Sequence, residues 1–148
     1  MISLRRFEAD DTPVLQEKRY PDMTLRDITE MIREWNTCEY DGRYFEMFAV
    51  ISDSRIVGSV SVFGNSRSAA EIGPDIFPGE RRKGFAYEAM LQAVRYASEK
   101  GYRVLIQQVR CDNKASIRLH DKLGFEKLNG TYRNSKGNEV FLYIKLTG

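Results

Sequence analysis

A strand, a tight basic turn and a helix follow one another between Ile72 and Ala97, and this junction restricts the fold more than any other segment of the chain. Ile72 to Phe77 reads as a strand, and Pro78-Gly79 ends it. Apolar residues at Ala86, Ala89, Met90, Ala93, Val94 and Ala97 then recur at i, i+3, i+4 and i+7, which predicts a helix with one buried face. Glu80-Arg81-Arg82-Lys83-Gly84-Phe85-Ala86 joins the two elements. Free backbone N–H groups at a helix start carry the positive end of its dipole and bind anions. Gly84 allows the backbone to approach a ligand closely, and Ala86 is too small to block it. The turn is a candidate phosphate cradle.

Its glycine spacing matches neither the P-loop, G-x-x-x-x-G-K-[ST], nor the dinucleotide fingerprint, G-x-G-x-x-G. The chain carries Arg81-x-x-Gly84-x-Ala86 instead. Further along, Arg103 to Arg110 predicts a strand, and Asn113 is the expected N-cap of a short helix. That helix turns Ala115, Leu119 and Leu123 inward and ends at Gly124, suited to a left-handed C-cap; Phe125 follows. The hexamer resembles the R/Q-x-x-G-x-G/A signature of the GNAT superfamily of N-acetyltransferases. Asn113 to Phe125 is similar to that family's second signature, N-x-x-[AS]-x-x-[LF]-x-x-x-x-G-F. The two lie in family order, with one helix and one strand between them.

The resemblance implies a mixed α/β domain over residues 1–148, with a mostly antiparallel sheet splayed between its fourth and fifth strands. The remaining patterns fit that plan. Ile2 to Phe7 alternates as a first strand; Thr12 to Tyr20 and Thr24 to Thr37 read as helices, the second capped by Thr24. Tyr44 to Ser52 and Arg55 to Phe63 form a hairpin across Asp53-Ser54, and Val140 to Leu146 is the last strand after a turn at 134–138. The Gly73-Pro74 pair predicts a bulge that opens the fourth strand.

Acetyl-CoA is the implied cosubstrate. By resemblance, Arg81, Arg82, Lys83, Gly84, Phe85 and Ala86 hold its pyrophosphate, while Ile76 and Phe77 offer backbone groups to pantetheine. An amide near Ile76 would polarise the acetyl carbonyl, an oxyanion-hole device. Asn113 and Ser116 complete the cofactor set. Many relatives carry a proton-donating tyrosine seven residues after the motif asparagine; here that position is His120, which can donate to sulfur or relay a proton from the amine. Glu71 is the candidate base. Gln108 stands where some relatives carry glutamate and cannot replace it, and Tyr132 and Tyr143 are further donors that read better as packing residues.

Net charge is only +2, which gives no argument for nucleic acid, and no apolar stretch approaches membrane or signal-peptide length, so a cytoplasmic protein is expected. Two cysteines and one histidine argue against a metal site and leave Cys38 and Cys111 as expected thiols. Asp22, Asp27, Glu30, Glu34, Glu39 and Asp41 make the segment before Tyr44 acidic, which favours a cationic amine, either a small molecule or a peptide. Strands near the last hairpin suggest a homodimer. A non-catalytic acyl-CoA-binding or sensing module on the same fold is the competing reading, and the missing tyrosine is its argument.

Overall fold

The computed structural model describes residues 1–148. Its strands are β1 (Ile2–Arg6), β2 (Glu39–Tyr40), β3 (Arg43–Ser52), β4 (Arg55–Gly64), β5 (Ala69–Ile76), β6 (Val104–Arg110), β7 (Glu126–Lys127), β8 (Tyr132–Arg133) and β9 (Glu139–Leu146). Four α-helices accompany them: α1 (Thr12–Lys18), α2 (Leu25–Trp35), α3 (Phe85–Glu99) and α4 (Lys114–Lys122). One sheet runs in the order β1-β3-β4-β5-β6-β9-β7, with β2 beside β3 and β8 beside β9. Every pairing is antiparallel except β5–β6, because α3 forms the crossover between those two strands.

The sheet has a core on each face. Ala89, Met90, Ala93 and Ala97 of α3 pack on Val57, Val60, Val62, Ala70, Ile72 and Leu105. The three alanines bring the helix close to the strands, which fixes the helix start at the end of β5. On the other face Phe7, Leu15, Ile28, Ile32, Ala49 and Phe77 form the core under α1 and α2. Thr24 caps α2 as expected, accepting from the Asp27 N–H at 3.1 Å. Asp53 and Ser54 both take positive φ, 50° and 65°, the geometry of a two-residue hairpin turn that follows strand twist.

The short strands β2, β7 and β8 went unread in the sequence. Two of them change the picture of β9. That strand is paired with β6 along one side, and with β7 at Tyr143 and Ile144 and β8 at Glu139 and Val140 along the other.

A buried carboxylate ties β1, β3 and α3 together. Glu46 is 3% exposed and accepts from Arg6 Nε at 2.9 Å, from the Tyr96 hydroxyl at 2.5 Å and from the Tyr44 hydroxyl. Burial disfavours its charge, but these donors outweigh burial and hold the carboxyl below its ordinary value of 4.5. A group whose folded pKa is depressed stabilises above the unfolded pKa and loses that contribution as pH falls through the folded value. Glu46→Ala is expected to cost about 1–3 kcal/mol at neutral pH by leaving two phenols without their acceptor. Chemical denaturation should show that deficit shrinking as pH drops below 4.5; a constant deficit would contradict the charge network.

Candidate active site

The Phe77 N–H donates to Val57 O at 2.9 Å. Alternation along an antiparallel ladder therefore turns the backbone groups of Gly73 and Asp75 toward β4, and those of Ile72, Pro74 and Ile76 away from it. On that outer side β6 pairs with β5 only at Ala69↔Val104, Ala70↔Leu105 and Glu71↔Ile106. The strands then part. The β4–β5 register is unbroken from Gly58↔Ile76 to Gly64↔Ala70, so the expected bulge at Gly73-Pro74 is absent and the opening arises against β6 alone. Pro74 fits this edge because it has no N–H to leave unpaired there. At the apex, Gln107 Nε2 donates to Ile72 O at 2.6 Å, and Gln107 Oε1 accepts from the Gln108 N–H at 3.0 Å. At the far end Arg81 Nε donates to Ile76 O at 3.2 Å. Pro74 O and the Ile76 N–H face the gap between these two anchors.

The gap leads to the start of α3. Arg82 and Gly84 take positive φ, 66° and 81°, and the first helical bond runs from the Glu88 N–H to Gly84 O at 3.3 Å. The amides of Phe85, Ala86 and Tyr87 consequently have no partner within the helix. No side chain caps them, whereas Thr24 caps α2 and Asn113 caps α4. A Cβ added at Gly84 would meet nothing within 4 Å, so open space lies in front of these amides. Arg82 is exposed, and Lys83 Nζ lies 3.6 Å from Glu80, which is itself held by Arg55 at 2.8 Å. Oriented amides, a dipole and nearby cations form a cradle that fits a diphosphate.

A cleft of about 400 Å³ opens on the α2 face beside the parted strands. Glu71, Gly73, Ser61 and Phe63 form its floor; Glu34 and Trp35 of α2, with Glu39 and Tyr40 of β2, form its wall. Tyr40, Phe45 and Phe63 cluster with ring centroids 5.9–6.5 Å apart. Arg43 stacks over Phe63 at 4.0 Å, so the cluster already holds one cation. A larger groove of about 570 Å³ lies between β1 and α3, on the opposite face of the sheet from Glu71.

Glu71 lies on β5, and the cradle residues follow the end of that strand. Asn113 caps α4, its Oδ1 accepting from the Ser116 N–H at 3.1 Å. Phe77 differs from expectation: its N–H is bound to Val57 O and its C=O accepts from the Glu80 N–H at 2.8 Å, which leaves the Ile76 N–H as the free donor. His120 also differs. It is 1% exposed, packs on Phe125 and Tyr143 at 5.0 and 5.5 Å, and does not line the cleft. Its Nδ1 donates to Ser116 O at 2.8 Å, so in the neutral ring Nε2 carries no proton, and it has no partner. Burial lowers its pKa, against weaker raising effects of the Ser116 carbonyl and Asp121. A neutral imidazole with its proton on the wrong nitrogen is poorly prepared to act as an acid. Gln107, rather than Gln108, is the glutamine that reaches the cleft. Gln107 shares the core-facing alternation of Leu105 and Val109, and that polar intrusion was the available signal.

A parted strand pair whose open edge runs into an uncapped helix start suits an enzyme that draws an acyl group from coenzyme A. The GNAT acetyltransferase domain model matches residues 2–126, and the chain belongs to that family of N-acetyltransferases, with acetyl-CoA as acyl donor. It is 31% identical to the SPbeta prophage-derived uncharacterized N-acetyltransferase YokL of Bacillus subtilis (strain 168), over 85% of this chain and 76% of the relative. RimL, the ribosomal L7/L12 alpha-N-protein acetyltransferase in complex with coenzyme A, has a TM-score of 0.82 at 16% identity, covering 98% of this chain and 93% of that one. The spermidine/spermine N-acetyltransferase SpeG from Vibrio cholerae gives 0.77 at 17%, covering 99% and 95%. These two likenesses concern the fold. No helix is long and apolar enough to cross a membrane.

Gly84→Asp is expected to weaken acetyl-CoA binding at least tenfold by calorimetry, because the new carboxylate repels at the anion cradle and a side chain strains the turn at φ 81°. A melting curve checks that the variant is folded. Unchanged affinity in a folded variant would remove the cradle from the cofactor site.

Proposed function

We propose that the chain transfers the acetyl group directly, in a ternary complex, to a primary amine that carries further positive charge. The observation that carries this reading is the cleft in which Glu71 shares one cavity with Glu34, Glu39 and the aromatic rings of Trp35, Tyr40, Phe45 and Phe63. Bound acetyl-CoA supplies an activated carbonyl. The amides of Phe85 and Ala86 with Arg82 and Lys83 hold its diphosphate, and charge-assisted hydrogen bonds of about 1.5–3 kcal/mol each outweigh a helix dipole at about 0.3–1. The Ile76 N–H is the donor for the carbonyl oxygen, and Asn113 with Ser116 borders the pantetheine track.

Glu71 takes the proton of the incoming ammonium, directly or through water. Glu34 and Glu39 attract a second cationic group, and the ring cluster excludes water around the connecting chain. Neither Cys38 nor Cys111 lines the cleft, which favours direct transfer over an acyl-enzyme. SpeG and RimL, by their names, act on amines of two kinds, a polyamine and a protein N-terminus. The paired carboxylates favour the polycationic kind here. In this scheme His120 braces α4 from within the core, and the departing thiolate takes its proton from solvent.

The test is thiol release from acetyl-CoA with a panel of polyamines, aminoglycosides, peptide amines and uncharged amines. Polycationic amines should lead the panel; preference for uncharged amines would overturn the acceptor class. Glu71→Gln should lose roughly 10²–10⁴-fold in kcat, the usual worth of acid–base catalysis, with acetyl-CoA affinity unchanged. Glu39→Gln should raise KM severalfold for a diamine and leave a monoamine unaffected. His120→Phe should keep kcat within about tenfold; a loss inside that 10²–10⁴ range with intact binding would restore the general-acid role expected from the sequence.

A further inference from the structure

We infer that the Gln107 carboxamide is the wedge that holds the cofactor gap open, and that Gly73 exists to receive it. The inference rests on the reading of that gap as the coenzyme path. In a continuing parallel ladder, the next bond after Glu71↔Ile106 would run from the Gln108 N–H to Ile72 O. Both groups are present, and neither reaches the other. The Gln107 side chain stands between them, accepting from the Gln108 N–H at 3.0 Å and donating to Ile72 O at 2.6 Å. These partners fix the amide orientation: a carbonyl needs the NH₂, and an N–H needs the oxygen. One primary amide thus substitutes for one rung of the sheet and moves the strands apart by its own width, without leaving a polar group unpaired.

Gly73 supplies the complementary space. A Cβ placed there would overlap Gln107 Nε2, the nearest atom to it. The φ of Gly73 is not positive, so its small size, rather than conformational freedom, is what this position uses. No register shift in β5 assists the opening. Gln107 is therefore a positioning residue. It touches β5 rather than the reacting groups, and through β5 it sets where Pro74 O and the Ile76 N–H stand relative to β6.

A residue that merely stapled the strands would give different mutational behaviour. Gln107→Val removes the wedge and puts a good strand former at a core-facing position. The Gln108 N–H can then bond Ile72 O directly, and the ladder zips one rung further. The expected result is a melting temperature equal to or above the parent, slower hydrogen exchange at the Gln108 amide of the free chain, and acetyl-CoA affinity reduced at least tenfold. Gly73→Ala should weaken acetyl-CoA similarly from the opposite strand. Combined with Gln107→Val it should add less than a twofold further loss, because the added methyl then has nothing to displace. Wild-type acetyl-CoA affinity in Gln107→Val overturns the wedge, as does a lower melting temperature without slowed exchange. Independent, multiplying losses from the two substitutions also overturn it. Gly84→Asp run alongside separates the two claims: if it too keeps full affinity, the location of the cofactor site has failed rather than the wedge, whose exchange signature is read without cofactor.

Discussion

Everything at this site depends on two neighbouring strands that stop pairing inside a sheet. Backbone N–H and C=O groups withdrawn from water cost about 1–3 kcal/mol each when unpaired, so a sheet opens internally only where substitutes are provided. Here they come from side chains at either end of the opening: Gln107 engages Ile72 O and Arg81 engages Ile76 O. The groups left between them, Pro74 O and the Ile76 N–H, form the remaining template for an extended ligand. Function in this fold is a backbone property first, and the side chains determine which backbone groups remain available.

The two ends of β5 also link binding to chemistry. Arg81 belongs to the basic turn, yet its guanidinium reaches back onto the strand that carries the Ile76 N–H. The basic turn and the strand before it are thus one mechanical unit, backed by the packing of α3 on the sheet. Glu46 serves the same end from a distance, since Tyr96 of α3 and Arg6 of β1 share its carboxylate.

Local features were legible in the sequence. The turn at Gly84, the caps at Thr24 and Asn113 and the hairpin at Asp53-Ser54 are each decided by a few adjacent residues, and each is found where the pattern placed it. The cleft beside Glu71 was only half legible. Glu34 and Glu39 registered as negative charge, but their meeting with Phe63 and Glu71 is a product of sheet order and of the two-residue strand β2, too short to leave a periodic signal. His120 occupies the motif position it was read into, and what sequence could not supply was its burial, which decides both charge and tautomer. Phe77 falls one residue past the end of β5, with its amide committed to Val57 by ladder parity.

The opened strand has a consequence for how the free chain survives in a crowded solution. An exposed run of strand backbone recruits other strands, and proteins ordinarily hide or charge such edges to avoid polymerising. β5 is protected differently. A proline interrupts its donors, and a glutamine and an arginine cover two of its acceptors. A foreign strand arriving there finds one carbonyl and one amide, too few for a stable ladder, whereas a short amide-bearing chain anchored elsewhere needs no more. The fold therefore keeps an internal edge open to a tethered guest and closed to its own kind.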